Sequence, residues 1–336
     1  MIHKTLQAVI LFALILISCS EKKGSDNGNS LKLWYNQPAG VWEEALPVGN
    51  GRLGAMVFGN PLTERIQINE ESIWAGSRIN NNNPASLANL KKLQNAIFES
   101  RYKEAAEIAE KCLLGTPPRI RSYQPLGDLL INYSWDGKPE SYRRELDLTT
   151  GIASSSFEVA SKKYSQEVFS SAPDNVIVVR IKSLDGGKIN ADFSLKREKD
   201  AFVRSSGNNS LILTGQIIDQ DDPLAGPGGQ HMKFAGELRL SAEGGTAEAK
   251  DDVISVSGAV EVIVRLTSAT DYSLSLLDFD RSIDPSAICR EILDRTDDVS
   301  FNKLRDSHIK EYSGYFGRVS LSLGEDSLSY KPTDRR

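Results

Sequence analysis

Between residues 143 and 181 the chain is a succession of short segments in which apolar and polar residues alternate, and this run constrains the fold more than any other stretch. Segments 143–148, 153–159, 163–170 and 175–181 are separated only by Thr150-Gly151, Ser161-Lys162 and Ala172-Pro173-Asp174. Turns this short leave no room for a crossover helix, so neighbouring strands are expected to run antiparallel. Val176 to Val179 is apolar at every position, which predicts a strand covered on both faces. Asp185-Gly186-Gly187 turns the chain into a strand over 188–195, and further short strands are expected near 211–213, 236–241 and 260–267. The fold class that follows is all-β.

Upstream, LPVGNGRLGAMVFGNPLTERIQINEESIWAG occupies residues 46–76. Gly49-Asn50-Gly51 suits a tight turn that needs positive φ angles. Residues 52–58 then read as a strand with Leu53, Ala55 and Val57 on one face and Met56 and Phe58 on the other. Asn60-Pro61 turns back into a strand over 64–69, which points Ile66 and Ile68 one way. This hairpin delivers Glu70, Glu71 and Trp74 to a strand end. Carboxylates accept hydrogen bonds from hydroxyls and an indole offers a flat apolar surface to a ring face, so the three are candidate sugar-binding residues. The alternative is a domain interface, with Trp74 as anchor.

The chain has 336 residues, 40% hydrophobic and 25% charged, enough for a large core. A net charge of −5 and the lack of basic clusters interleaved with aromatics argue against nucleic acid. Three His and three Cys, widely scattered, predict no metal site, and no cofactor motif is present. Lys4 and the apolar run 6–17 suit a signal peptide over 1–18 rather than a membrane span. Leu16-Ile17-Ser18-Cys19 resembles a bacterial lipobox, which implies lipidation of Cys19; a plain signal peptide holding a cysteine is the alternative. Residues 19–30 then form a polar tether. The expected location is exported, anchored to the membrane of the bacterial cell envelope by lipid, at the outer membrane or in the periplasm.

Two short helices are expected after the hairpin. One opens with Asn83 as N-cap and Pro84 as first helical residue and carries Leu87, Leu90, Leu93 and Ile97. The other starts near Tyr102 and carries Ala105, Ala106 and Ala109. They would cover a sheet edge or line a domain contact, with Cys112 as a small buried residue. Tyr123 to Leu129 reads as a turn into a strand, bending at Gly127. Residues 219–231 form an acidic, then glycine-rich loop without EF-hand or P-loop spacing, and His231 is expected to be solvated there. Asp284-Pro285 caps a helix, and a second from Phe301 places Leu304, His308, Tyr312 and Tyr315 on one stripe. A strand is expected over 318–324.

Five stretches together resemble glycoside hydrolase family 95, the α-L-fucosidases and their relatives. They are the hairpin quoted above, YQPLGDL at 123–129, LDLTTGIASSSFEV with YSQEVFSSAPDNVIVVRIKS at 146–183, His308 with Tyr312 and FGRVSLSLG, and PTDR at 332–335. Gln166 departs from the pattern, standing where a basic residue is expected before Glu167. The resemblance implies a large antiparallel β-sandwich over 31–283 with the two helices inserted, then a C-terminal helical linker over 284–336. It further implies an (α/α)₆ barrel beyond, which holds the catalytic acid and base that hydrolyse α-L-fucosyl glycans with inversion. No catalytic residue of that set falls within this chain, so the chain alone is expected to be inactive. Its expected partners are the missing barrel and, through the full-length enzyme, fucosylated glycans. A stand-alone, lipid-anchored carbohydrate-binding protein is the alternative. Without a barrel, some of the surface made by the stripe of Phe301, Leu304, Tyr312 and Tyr315 and one face of strand 53–58 is expected to meet water.

Overall fold

The computed structural model describes residues 31–321, 324 and 327–336. The predicted signal peptide, Cys19 and the tether lie outside the described residues. Two antiparallel sheets face each other. The first has nine strands, in the order β1 (Lys32–Tyr35), β6 (Glu140–Asp147), β7 (Ile152–Val159), β8 (Lys162–Ser171), β9 (Val176–Ser183), β16 (Glu261–Thr270), β13 (Gly229–Glu243), β12 (Ser210–Asp219) and β11 (Ala201–Ser205). The second has seven, in the order β14 (Thr246–Lys250), β15 (Val253–Ala259), β10 (Ile189–Lys196), β5 (Gly127–Tyr133), β4 (Thr63–Glu70), β3 (Leu53–Val57) and β2 (Leu46–Gly49). The fold is an all-β sandwich, as the alternation demanded.

The core lies between the sheets. Leu53, Ala55 and Val57 of β3 and Ile66 and Ile68 of β4 point into it, against Val168 of β8 and Ile177 and Val179 of β9. The other face of β9 is also covered. Val176 and Val178 pack with Phe169 against Ile292, Leu293, Phe301 and Leu304, so the unbroken apolar run is explained. Those partners come from two helices laid on the outer face of the nine-stranded sheet, α3 (Pro285–Thr296) and α4 (Phe301–Phe316). The Asp284 carboxylate accepts from Ser286 N–H at 2.9 Å and the Ser300 hydroxyl from Lys303 N–H at 3.4 Å, capping both.

This packing narrows the expected water-facing surface to the end of the stripe. Phe301 and Leu304 are buried, Tyr312 donates to Leu148 O at 2.9 Å, and only Tyr315 at the end stands exposed. His308 is buried, stacked 4.9 Å from Phe169, with Nε2 2.9 Å from Thr150 O. The second face of β3 is covered too, since Phe58 and Met56 pack with Ala39 and Ala45. Helices pack on the nine-stranded sheet because its central strand, β9, begins with residues apolar on both sides, and burial of that surface is worth about 25 cal/mol per Å².

Three further expectations are revised. The first inserted helix, α1 (Ser86–Phe98), begins two residues later than Pro84, because Asn83 Oδ1 accepts from Ala85 N–H at 2.9 Å in a turn before the helix. It packs with α2 (Tyr102–Cys112) through Ala96, Ala105 and Ile108, with Cys112 partly buried beside them. Leu87 and Phe98 stay 85% and 81% exposed. Residues 318–321 are not strand, and Val319 and Leu321 face solvent. The C-terminal turn instead returns to β1, where Trp34 N–H donates to Thr333 Oγ1 at 2.9 Å. His231 is not in a loop but in β13, buried, and burial lowers its pKa.

Of the four buried acids among the described residues, Glu70, Glu237 and Asp271 have guanidinium partners in Arg52, Arg239 and Arg281. Glu64 has none. It accepts from Gly59 N–H at 2.9 Å and from Gln166 Nε2 at 2.7 Å, and Tyr133 OH donates to Gln166 Oε1 at 2.9 Å. Desolvation raises its pKa to about 7 against those hydrogen bonds. The departure at Gln166 therefore falls on the partner of the unpaired acid.

Candidate functional site

The site is built on the hairpin of β3 and β4 and on the turn that precedes it. Gly51 takes φ +93°, which a side chain would resist. Asn50 Oδ1 accepts from the N–H groups of Arg52 and Leu53 at 3.0 and 2.7 Å, while its amide donates to Ser171 O at 3.0 Å on the facing sheet. Arg52 crosses the same gap, donating to Asn175 Oδ1 and Thr267 Oγ1, each at 3.3 Å, and to Ser268 O. Asn50 and Arg52 thus rivet the two sheets together. Polar residues in a glycine turn gave no sign of this from the sequence, because their partners lie more than 100 positions away.

The three candidate residues at the end of β4 part company. Glu70 is buried, its Oε2 accepting from Ser72 N–H at 2.8 Å and Ser72 Oγ at 2.7 Å, with Arg52 3.8 Å from Oε1. Ser72 Oγ in turn lies 2.6 Å from Thr270 Oγ1 of β16. Burial raises the Glu70 pKa, and Ser72 and Arg52 oppose that. Glu70 therefore fixes the corner. Glu71 and Trp74 turn outward together, the indole Nε1 donating to Glu71 O at 3.0 Å. Trp74 is 40% exposed. Tyr123 bridges to it through the backbone and meets its ring edge-on, centroids 5.2 Å apart, while Tyr123 OH donates to Glu70 O at 3.0 Å.

Glu71 and Trp74 form one wall of a cavity of about 600 Å³. Met232 and Tyr272 line it beside the core, and Ile120, Leu274 and Leu277 line it from other loops. Arg78, Arg121 and Asp278 add charged groups. An aromatic surface with a few acceptors and donors around it is suited to a ring with one apolar face and hydroxyls at its edge. The rest of the lining is contributed by segments far along the chain, which no local pattern links to the hairpin. Among the described residues, no three His, Cys, Asp or Glu side chains group as metal ligands.

Comparison with known proteins matches residues 33–275 to the family described as glycosyl hydrolase family 65, N-terminal domain. The chain is 29% identical to "Alpha-L-fucosidase 2" of Arabidopsis thaliana over 96% of its own length and 42% of that protein. It is 27% identical to "Probable alpha-fucosidase A" of Aspergillus niger, over 88% of this chain and 38% of that one. The Aspergillus oryzae protein of the same name is 25% identical, over 87% and 41%. The chain thus spans about two fifths of the curated relatives it matches. Matching nearly the whole of the two-sheet region, the chain belongs to the glycosyl hydrolase family 65 N-terminal domain family.

Proposed function

We propose that this chain is the sugar-facing, non-catalytic β-domain of an exported, lipid-anchored α-L-fucosidase-like glycoside hydrolase of family 95. One observation carries the reading. The hairpin that carries the first family-like motif ends in a corner that sets the Trp74 indole and the Glu71 carboxylate on the wall of a cavity of about 600 Å³. The relatives' names supply the sugar class. In this reading Trp74 packs on the apolar face of a fucosyl unit and Glu71 accepts from a hydroxyl, while the acid and base of an inverting hydrolysis come from the barrel that the resemblance implies. Glu70 acts behind them as a positioning residue.

Trp74→Ala in a full-length relative with the same motif is the test. A raised KM or lowered kcat/KM for an α-L-fucoside, with the melting temperature nearly unchanged, is the expected result. Loss of stability with unchanged kinetics would make Trp74 an anchor between domains and refute the sugar contact. A second reading, a self-contained carbohydrate-binding protein, draws support from the burial of Phe301 and Leu304 on the sheet, which leaves only Tyr315 of that stripe exposed.

A further inference from the structure

A second cleft, of about 610 Å³, adjoins the aromatic cavity and shares Ile120, Arg121 and Ala225 with it. Its chemistry is different. Six Lys or Arg and four Asp or Glu side chains line it, in a chain whose overall balance is acidic, 40 against 45. Two of the acids are already engaged, Asp128 with Arg65 at 3.1 Å and Asp219 with Arg121 at 3.7 Å. Asp222 accepts from Leu224 N–H at 2.8 Å.

The cations are not matched in return. No carboxylate lies within 4.0 Å of Arg119, Lys196, Arg197 or Lys199 among the described residues. Arg197 is held in place by neutral oxygens only, donating to Gln124 Oε1 at 2.5 Å and Leu126 O at 3.3 Å, with its guanidinium 4.4 Å from the Phe234 ring centroid. Arg121, 11% exposed in its side chain, stands between the two cavities, and its buried Nε has no partner. Glu198 is the fourth acid, and Asp200 lies close enough to Arg197 to act on its charge, so the cleft keeps a surplus of two cations over acids around an Arg197 held by neutral oxygens, a concave surface that favours carboxylate or sulfate oxygens.

We infer that the two cavities form one groove for an anionic oligosaccharide, with a sugar ring at Trp74 and a carboxylate or sulfate substituent at Arg119, Arg197 and Lys199. The inference rests on the proposed sugar-binding reading for the ring and on the polar cleft alone for the charge, and the two parts fail separately.

The test is calorimetric titration of the purified chain with three probes, an oligogalacturonate, a sulfated dextran oligosaccharide and a neutral dextran oligosaccharide. One or both anionic probes bind and the neutral one binds far more weakly; which anion binds tighter identifies the substituent. Arg119→Glu with Lys199→Glu, both exposed positions, weakens anionic binding by about tenfold or more, the loss expected for one charge-assisted hydrogen bond, with melting unchanged. Should that pair fold poorly, Arg119→Gln with Lys199→Gln gives the same direction. Unchanged binding in the folded variant overturns the inference, as does inorganic tripolyphosphate or single-stranded DNA binding as tightly as the oligosaccharide. If the double variant loses binding while Trp74→Ala does not, the charged cleft stands and the sugar contact at Trp74 falls.

Discussion

Glu64→Gln is predicted to stabilise the protein, and to do so only where the carboxyl would otherwise ionise. Glu64 is 1% exposed and without a cation, and its pKa rises from 4.5 to about 7 on folding. The folded state thus holds a proton that the unfolded state has lost between these values, so stability falls as pH rises from 4.5 to about 7 and then levels. At 1.36 kcal/mol per unit, the decline is about 3 kcal/mol. Glutamine removes it and still completes the network. Its Oε1 accepts from Gly59 N–H, and its amide donates to a Gln166 turned so that the Gln166 amide meets Tyr133 OH. The assay is the melting temperature of both proteins from pH 4.5 to pH 8.5. The two should nearly coincide at the acid end, and the variant should melt about 5 °C higher at the alkaline end. A constant gap across the range, or a variant less stable above pH 7, would refute the reasoning.

Leu304→Ala empties a fully buried position between α4 and the sheet and should cost about 3 kcal/mol in urea unfolding; a loss near zero would mean that α4 does not hold to the sheet. Arg52→Ala removes the cation beside Glu70 and the bonds to Asn175 and Thr267, so a cost of about 3 kcal/mol or more is expected from the same measurement. Cys19→Ala should release the protein from the membrane fraction or stall its processing, and an unchanged distribution would leave an ordinary signal peptide.

The sheets were legible where one face is buried. In β3, β4 and β7 to β10 the inward residues recur at every second position, and the two-sided burial of β9 shows as four consecutive apolar residues. Two of the short edge strands were not. Thr246–Lys250 is Thr-Ala-Glu-Ala-Lys, a strand only because β15 pairs with it, and Ala201–Ser205 is half exposed. Gly229-Gln230-His231 looks like loop, yet backbone pairing of β13 with β12 carries it into the sheet. Helix α3 declared its cap and α4 its stripe, but the sequence was silent on what the stripe covers, since Phe169, Val176 and Val178 lie over 100 residues earlier. At the site, the turn and hairpin foretold that Glu70, Glu71 and Trp74 come together. That Glu70 turns in to Ser72 and Arg52 while its neighbours turn out is a tertiary outcome, set by Thr270 and the facing sheet.

The account is tested most directly by titrating the purified chain with an α-L-fucosyl oligosaccharide while following tryptophan fluorescence, then recovering the sugar. A saturable change that disappears in Trp74→Ala, with the oligosaccharide recovered intact, is the predicted result. No saturable change, or free fucose released above the buffer rate, would contradict it.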